Sequence, residues 1–375
     1  MQHYVLGDVI TEISERENNP SNSEYERFVG LEHYVSGEVE IENYGSTANL
    51  NSAMKVFNSG DILVARRNVY LKRASVVYFD GLTSGDSIVL RPKNETIGRI
   101  LPFILNTDDF WDYADQYSDG TMSKRLSPKV LKQYEFDLPD DNLEQLADIL
   151  WAMVDVKKSY QRLLKQTDEL VKSQFIELFS VEKGWPIAKL EELCDSIVRG
   201  PFGSALKVSF FVDKGSDTVK VYEQKNAIQR SATLGDSYVT QEKYNELKRF
   251  ECGPGDFIMS CSGTIGCLYQ LPDDAEPGII NQALCKFHLN GKMLPEVFLT
   301  YMRNSVDQLE TKGSAIKNIG AVSFIKNMEI ALPPIAEQEA FAEFIRQSDK
   351  SKFELKQAIE GVDILIKSMI QQELN

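Results

Sequence analysis

The sequence predicts an α+β fold with two tandem α+β domains, related by a pseudo-two-fold axis and separated by two long antiparallel coiled-coil helices. Three observations support this prediction. The two halves of the chain close on similar motifs, a long helical pattern follows each closing motif, and short apolar runs alternate with turn residues before it. A repeat of about half the chain indicates that one globular-plus-helix unit is used twice.

The closing motifs cover residues 119–139 and 312–333, and each ends on an acidic residue followed by Leu-Pro. In each motif a glycine precedes a lysine by four positions, and a Gly-Asp pair followed by two apolar residues lies upstream. Equivalent positions are offset by about 194 residues, almost constantly along the chain. The equivalent pairs are Gly60 and Gly255, Asp61 and Asp256, Gly120 and Gly313, Lys124 and Lys317, and Pro139 and Pro333.

The first α+β domain is predicted to span residues 1–140. Short apolar runs bounded by Gly, Asn and Asp are typical of strands in an irregular sheet. A helix is predicted at 107–117, because Thr107 or Asp108 can cap its first turn. The predicted strands are 62–65, 74–79 and 87–91.

The second α+β domain is predicted to span residues 184–334. The same signals apply here, and the helix predicted at 295–304 is matched to the helix at 107–117 of the first half. The predicted strands are 219–222, 256–261 and 283–288.

The helical spacers are predicted at 141–183 and 335–375. From Leu143 to Phe179 apolar residues recur at steps of three and four, which predicts a helix with one apolar stripe. Such a helix is about 57 Å long at ~1.5 Å per residue, too long for one small domain. We therefore expect its stripe to pack antiparallel against the C-terminal helix.

The composition is that of a soluble globular protein, with 42% apolar and 26% charged residues in 375. No apolar run is long enough to span a membrane, and the N-terminus lacks the features of a signal peptide. Five cysteines without a C-x-x-C pair favour free thiols over a zinc site. These features predict a cytoplasmic protein.

The net charge of −15 argues against nucleic-acid binding at first, but the charge is unevenly distributed. Basic residues exceed acidic ones by three within 61–93 and again by three within 119–132. Acidic residues exceed basic ones by six within 133–182, the first long helix. The globular parts therefore carry basic patches, and local charge matters more than the sum for phosphate binding.

No catalytic constellation is evident in the sequence. The three histidines lie far apart, and the glycine-rich segments match neither a phosphate-binding loop nor a nucleophile elbow. We therefore expect a chain without catalytic activity, metal or cofactor of its own.

The remaining signals are basic residues next to strands and turns. Arginine and lysine can bond phosphate oxygens or the O6 and N7 atoms of guanine, although a solvated pair at a strand edge is the plainer interpretation. Recurrence of a Gly-x-x-x-Lys motif in both halves favours binding. The candidates are Arg66, Arg67, Lys72, Arg73, Lys124 and Arg125 in the first half, and Lys207, Lys317 and Asn318 in the second.

Several second-half motifs together resemble the specificity subunit of bacterial type I restriction-modification systems. The resemblance extends over the whole chain, although the first half lacks the Gly-Pro-Phe-Gly-Ser loop and the second proline after its Leu-Pro. The motifs are Gly200-Pro201-Phe202-Gly203-Ser204-Ala205-Leu206-Lys207, Gly255-Asp256-Phe257-Ile258, Ser262-Gly263-Thr264-Ile265-Gly266, Asn281-Gln282 and Leu332-Pro333-Pro334-Ile335-Ala336-Glu337-Gln338.

The resemblance implies a non-catalytic subunit whose two target-recognition domains each read one half of a bipartite, asymmetric double-stranded DNA site. It implies that the helices set the spacer and dock two methyltransferase subunits, which use S-adenosylmethionine. Two motor-endonuclease subunits using ATP and Mg²⁺ join in systems that also cut DNA. It also adds Ser262 and Thr264 to the DNA-binding candidates. The arginines are favoured for base reading and the lysines for phosphate contacts.

Three other interpretations stay open from the sequence. The acidic helices favour a protein scaffold that binds a basic partner, but the recurring lysines do not. An enzyme with a cleft between two sheet domains is the weakest alternative, since catalytic residues are missing. A DNA-specificity module of another methyltransferase-based defence system shares every feature above.

Overall fold

The computed structural model describes residues 1–120, 123–139, 141–311 and 322–374. By its internal contacts the chain divides into unit 1, residues 1–162 with 355–375, and unit 2, residues 163–354. Each long helix is shared between the two units. The domain limits predicted at residues 140, 183 and 334 stay a prediction, because a division by contacts does not separate a spacer helix from the body it packs against.

Unit 1 holds three sheets. Strands β2, β10, β7 and β8 form a four-stranded antiparallel sheet in that order, β3-β6-β9-β4-β5 form a mixed sheet, and β1 pairs with β11. The elements are β1 Gln2–Val5, α1 Leu6–Val9, β2 Ile10–Ile13, β3 Arg16–Glu17, β4 Arg27–Val29, β5 Gly45–Ser46, β6 Met54–Phe57, β7 Ile62–Ala65, β8 Ala74–Val76, β9 Gly81–Thr83, β10 Ser87–Pro92, α2 Glu95–Ile104, α3 Asp108–Tyr117, α4 Pro128–Lys132, β11 Glu135–Leu138 and the long helix α5 Leu143–Leu178.

Unit 2 repeats this plan. Strands β13, β20, β17 and β18 form the four-stranded antiparallel sheet, β15-β14-β19-β16 form the mixed sheet, and β12 pairs with β21. The elements are β12 Ile187–Lys189, β13 Cys194–Arg199, β14 Thr218–Tyr222, α6 Gln224–Ile228, β15 Tyr238–Thr240, α7 Gln241–Glu246, β16 Glu251–Cys252, β17 Phe257–Ser260, β18 Leu268–Gln270, β19 Gly278–Ile280, β20 Leu284–Leu289, α8 Pro295–Thr311, α9 Val322–Lys326, β21 Glu329–Ala331 and the long helix α10 Ile335–Leu374.

The duplication predicted from the sequence is confirmed at the level of strand order. In both units the four-stranded sheet takes the strands in the same sequence, and the mixed sheet places one strand parallel to its neighbour (β4 with β9, β14 with β19). Gly81 and Gly278 occupy the parallel step, where a Cβ would lie 2.6 Å from the Arg27 carbonyl oxygen and 2.5 Å from that of Lys220. Only glycine allows so close an approach of two strands.

The predicted helices are found with small changes. The Thr107 hydroxyl accepts a hydrogen bond from the Phe110 backbone N–H at 3.3 Å, so Thr107 caps α3 as predicted. Helix α2 was not predicted, and it carries Pro102, a residue that weakens a helical pattern. Helix α2 directly follows β10 just as α8 directly follows β20, so α2 is also a counterpart of α8. At the repeat offset of about 194 residues, α3 corresponds to 302–311, the second part of α8.

The long helices pair antiparallel within each unit, as the sequence predicted. In unit 1 the Lys157 ammonium lies 2.7 Å from the Asp363 carboxylate, and Leu150 and Ile370 share one buried core. In unit 2 the Lys352 ammonium lies 3.2 Å from Asp168. There Phe175 and Phe341 join the core formed by the four-stranded sheet and α8. The apolar stripe of each helix is therefore shared between its partner helix and the α+β body.

No described helix is both long and apolar enough to cross a membrane. Within the described ranges, no three His, Cys, Asp or Glu side chains are grouped to hold a metal ion. All five cysteines are free, and every one except Cys267 is buried.

Candidate nucleic-acid interface

Two basic segments that are far apart in the sequence lie side by side in unit 1. The loop after β7 carries Arg66 and Arg67, and the segment before α4 carries Lys124 and Arg125. The Leu126 backbone N–H donates to the Arg66 carbonyl oxygen at 2.8 Å, and Arg67 and Arg125 face each other in an antiparallel bridge. The fold thus joins two of the sequence-predicted basic pairs into one surface.

An acidic residue lies at the centre of this surface. The Asp86 carboxylate is 2.6 Å from an Arg125 guanidinium nitrogen and 3.7 Å from one of Arg67. The Asp86 carbonyl oxygen also accepts the Arg66 backbone N–H at 2.9 Å. We name Arg66, Arg67, Asp86 and Arg125 the Asp86 cluster, whose formal charge is +2 because it contains three guanidinium groups and one carboxylate.

The environments of the three arginines differ. Partial burial lowers the pKa of Arg66, and the positive charge of Arg125 lowers it further. The Arg66 Nε donates to the Leu126 carbonyl oxygen at 3.2 Å, which holds its guanidinium against the neighbouring segment. The side chains of Arg67 and Arg125 are about half exposed. Arg67 and Arg125 are therefore the members of the cluster that are best placed to reach a ligand.

Arg73 holds the backbone of the same loop through hydrogen bonds. Its guanidinium donates to the carbonyl oxygens of Leu31 and Arg67, both at 3.0 Å. Its guanidinium carbon lies 6.0 Å from the centre of the Tyr34 ring, and burial lowers the pKa of Arg73. These contacts give Arg73 the geometry of a structural support for the backbone of Arg67.

The two candidate lysines of the first half form ion pairs with acidic residues of helix α3. The Lys72 ammonium lies 2.5 Å from the Asp108 carboxylate, and this bond holds the pKa of Asp108 below its usual range. Lys72 also lines a cavity of about 340 Å³ that includes Lys157 and Asp363 of the helix pair. The Lys124 ammonium lies 2.6 Å from the Asp115 carboxylate. Neither lysine ammonium makes a described bond to the Asp86 cluster.

In unit 2 the loop at 200–207 follows strand β13. A Cβ on Gly200 would lie 1.8 Å from the Asn281 carbonyl oxygen, so only glycine fits there. Phe202 is 61% exposed, and the Arg199 guanidinium lies 5.4 Å from its ring centre. Gly203 has a φ of +67°, and Lys207 is exposed. The close contact with Asn281 holds the start of this loop, and the aromatic ring and the lysine that follow are exposed.

Ser262 and Thr264 lie in the loop between β17 and β18. This loop is the counterpart of residues 66–73 between β7 and β8, so candidates from both halves lie on equivalent loops. The carbonyl oxygens of both residues accept hydrogen bonds from the Gln224 side-chain amide, at 3.3 Å for Thr264. A neutral amide thus supports this loop, where arginines and Asp86 support the loop of unit 1. Lys317 and Asn318 lie outside the described residues.

Sequence reasoning missed three residues of these surfaces. Asp86 was not considered, because nothing in the sequence links it to arginines about 20 and 40 residues away. Tyr70, 68% exposed, lies in the same loop as Arg67. Phe202 lies within the Gly-Pro-Phe-Gly-Ser loop but was not among the predicted DNA-binding residues. An aromatic residue followed by glycine in a polar loop is a signal that could have identified Phe202.

A family model described as "Type I restriction modification DNA specificity domain" matches residues 182–361, nearly half of the chain. The comparison with curated proteins gave no match.

Three solved structures resemble this chain over its full length. One is described as "Structural basis underlying complex assembly and conformational transition of the type I R-M system", with 16% identity, a TM-score of 0.59 and 97% of that chain covered. Another is the type I restriction-modification S subunit from M. genitalium, with 10% identity, a TM-score of 0.51 and 96% covered. The HsdS subunit from Thermoanaerobacter tengcongensis has 18% identity, a TM-score of 0.48 and 96% covered.

At these identities the first two structures establish a shared fold. That fold extends over both units, and the family model adds the DNA-specificity domain in the second half. The duplicated sheets and the paired helices agree with both findings. The second half of the chain is therefore similar to the type I restriction-modification DNA specificity domain, and the whole chain shares the fold of these two solved structures.

Proposed function

We propose that this chain is the DNA sequence-specificity subunit of a type I restriction-modification system, and that each α+β body reads one half of a bipartite, asymmetric site in double-stranded DNA. The observation that carries the proposal is the duplication of the four-stranded sheet, with candidate binding residues on equivalent loops after β7 and after β17. A duplicated reader suits a target with two half-sites. Because the loops differ in sequence, the two half-sites differ as well.

In the first half-site, Arg67 and Arg125 are the proposed readers. Guanidinium groups donate two parallel hydrogen bonds, a geometry that fits the O6 and N7 atoms of guanine or two phosphate oxygens. Both side chains are about half exposed and reach the surface from neighbouring backbone segments. Lys124 and Lys72 would contact phosphates after exchanging their carboxylate partners.

In the second half-site, the proposed contacts come from the loops at 200–207 and 262–266. Lys207 would contact phosphate, and the exposed Phe202 ring would stack on a base or sugar. Ser262 and Thr264 have hydroxyl groups that can donate to or accept from base edges. Lys317 and Asn318 remain candidates from the sequence for the same half-site.

We further propose that the paired helices set the spacer between half-sites and dock two methyltransferase subunits. Exposed apolar residues recur every seven positions on α5, at Ile149 and Val156 in unit 1 and at Leu163 and Leu170 in unit 2. Such spacing keeps them on one side of a helix, as in a coiled-coil seam. Half-sites about one DNA turn apart, roughly 34–36 Å, would suit such a spacer.

In this proposal the chain has no catalytic role of its own. It acts in the cytoplasm and binds no membrane. The methyltransferase subunits would supply S-adenosylmethionine chemistry. In a system that also cuts DNA, two motor-endonuclease subunits would use ATP and Mg²⁺. The likeness to a structure described as a type I assembly supports these partners. The same geometry would serve another methyltransferase-based defence system.

Adenine-methylation mapping tests the proposal. Genomes are compared from cells that express the neighbouring methyltransferase with and without this chain. We expect a bipartite motif with a fixed degenerate spacer only when the chain is present. An unchanged methylome from an assembled complex contradicts the proposal and favours a protein scaffold.

A further inference from the structure

We infer that Asp86 is a positioning residue that makes the arginine surface of unit 1 selective for neutral base edges over phosphates. The inference rests on the proposed DNA-reading function. It starts from the position of Asp86 between Arg67 and Arg125, at 3.7 and 2.6 Å. A carboxylate on a DNA-facing surface repels the backbone, so it lowers binding to any sequence and needs a specific reason to be there.

The backbone next to Asp86 is held in place by a network of buried hydrogen bonds at Ser87. The adjacent Ser87 is fully buried, and its hydroxyl accepts from the Tyr34 hydroxyl at 2.8 Å and from the Thr83 hydroxyl at 2.9 Å. The Ser87 carbonyl oxygen accepts from the Lys55 ammonium at 2.8 Å. A satisfied buried network specifies one arrangement, so the backbone that carries the Asp86 carboxylate is fixed.

The carboxylate in turn fixes the direction of the two guanidinium groups. Without it, three positive charges would repel one another, and the long side chains of Arg67 and Arg125 would sample many rotamers. Their order costs side-chain entropy, which the ion pairs offset before DNA arrives. Donors that are oriented in advance favour the acceptor geometry of one base edge over others.

The same carboxylate distinguishes ligands by charge. The O6 and N7 atoms of guanine are neutral acceptors, which can take the outward-facing N–H donors while Asp86 keeps the inner ones. A phosphate that approaches the same donors brings a negative charge next to Asp86, whose side chain is only 26% exposed. Repulsion in this partly desolvated place is larger than in bulk water. The Asp86 carboxylate therefore disfavours binding of DNA phosphates at this surface.

The test uses Asp86→Asn in the complete complex with its methyltransferase. Asparagine keeps the shape of the side chain and removes the charge. We expect tighter binding to a scrambled duplex and a salt slope steeper by about 0.9, since the surface gains one effective phosphate contact. Over a change from 50 to 200 mM salt, that slope adds about a threefold difference in affinity. Discrimination against a single base change in the first half-site should fall roughly tenfold.

Two other variants control for charge and for structure. Asp148→Asn removes the same charge and breaks a comparable arginine pair, since Asp148 lies 2.7 Å from Arg99, outside the Asp86 cluster. It should leave the salt slope and discrimination unchanged. Asp86→Glu keeps the charge and should restore a wild-type salt slope. Thermal melting of each complex shows whether a variant is folded.

The outcomes separate this inference from the function on which it rests. If Arg125→Ala loses discrimination in the first half-site while Asp86→Asn matches Asp148→Asn, unit 1 reads DNA and the role of Asp86 is wrong. If Arg125→Ala and Asp86→Asn both leave binding and methylation unchanged, the arginine surface does not face DNA. A steeper slope with weaker discrimination in Asp86→Asn alone supports the inference.

Discussion

The repeated Gly-Asp motif has the same carboxylate in both units but a different basic side chain bonded to it. In unit 1 the buried Asp61 binds Arg91 through two hydrogen bonds of 2.7 and 2.8 Å. In unit 2 the buried Asp256 accepts from His288 at 2.7 Å. Arg91 and His288 occupy equivalent positions on β10 and β20, next to the strand that each aspartate precedes.

The shared part of this arrangement is local and the differing part is tertiary. Asp61 accepts from the Asn58 backbone N–H at 2.8 Å, and Asp256 accepts from that of Gly253 at 3.0 Å. Both carboxylates thus close the turn that enters the strand, which needs an aspartate at that position. The partner across the sheet is free to change, provided that it donates to the second oxygen. Arginine is permanently charged, whereas histidine is charged only when protonated.

Removal of the carboxylate should have the largest effect. Asp61→Ala leaves the Arg91 guanidinium and the turn N–H without their acceptor, and we expect a loss of about 2–3 kcal/mol in the free energy of unfolding. Asp256→Ala should cost less, because the Arg91 guanidinium makes two hydrogen bonds to Asp61, whereas the His288 ring makes one to Asp256 and the Lys286 ammonium lies 4.0 Å away. Urea unfolding of both variants measures the difference. Equal losses, or a larger loss from Asp256→Ala, would contradict the comparison.

Base reading should differ between the units. Arg67→Ala should relax one base position of one half-site and cost about 1–3 kcal/mol there. Lys207→Ala should instead weaken binding to every site and reduce the salt slope by about one. Methylation mapping combined with binding at two salt concentrations distinguishes these effects. A uniform loss from Arg67→Ala would reassign that residue to phosphate contact.

Replacing the arginine that bonds Asp61 with a histidine tests what this basic partner contributes to stability. Arg91→His should lower the stability of unit 1 by roughly 1 kcal/mol at neutral pH, because a charged two-bond pair is replaced by one hydrogen bond. The introduced imidazole would form an ion pair with Asp61 only while protonated. The variant should therefore recover stability as the pH falls from 8 to 6, whereas wild type should change less over this range. Thermal melting at several pH values measures this, and a variant with no pH response contradicts the argument.

Removal of the exposed aromatic ring of Phe202 should have the smallest effect on folding. Phe202→Ala should change the free energy of unfolding by less than about 0.5 kcal/mol, because the ring is mostly exposed. We expect it to weaken DNA binding by about 1 kcal/mol through lost stacking. Val208→Ala is the matched control, since Val208 is 81% exposed near the same loop but has no aromatic face. If both variants bind equally, Phe202 does not stack on DNA.

Local patterns in the sequence were sufficient for the two long helices, for α3 and for the repeat. Apolar residues that recur at steps of three and four predicted the ends of α5 and α10 to within two residues. Thr107 caps α3 as expected. Strand β7 was found at the predicted residues. The strand predicted at 74–79 is shorter, ending at Val76. Each of these features depends on neighbours in the chain, which periodicity and capping describe directly.

The mixed sheets could not be predicted in the same way. Strands such as β3 and β5 have two residues each, and they depend on partners that are distant in sequence. Helix α2 contains Pro102, so its sequence argues against the element that packing stabilises. For such segments, tertiary contacts override intrinsic preference.

For the candidate interface, the sequence by itself determined which residue types are available, but not which of them meet. It identified the basic residues at 66–67 and 124–125, and only the fold brought them together around Asp86. It also placed Lys72 among the DNA-binding candidates, although the Lys72 ammonium pairs with Asp108 of α3. Sequence pattern reports local periodicity and charge, whereas ion pairing depends on distances of a few ångströms between segments that only the folded chain places side by side.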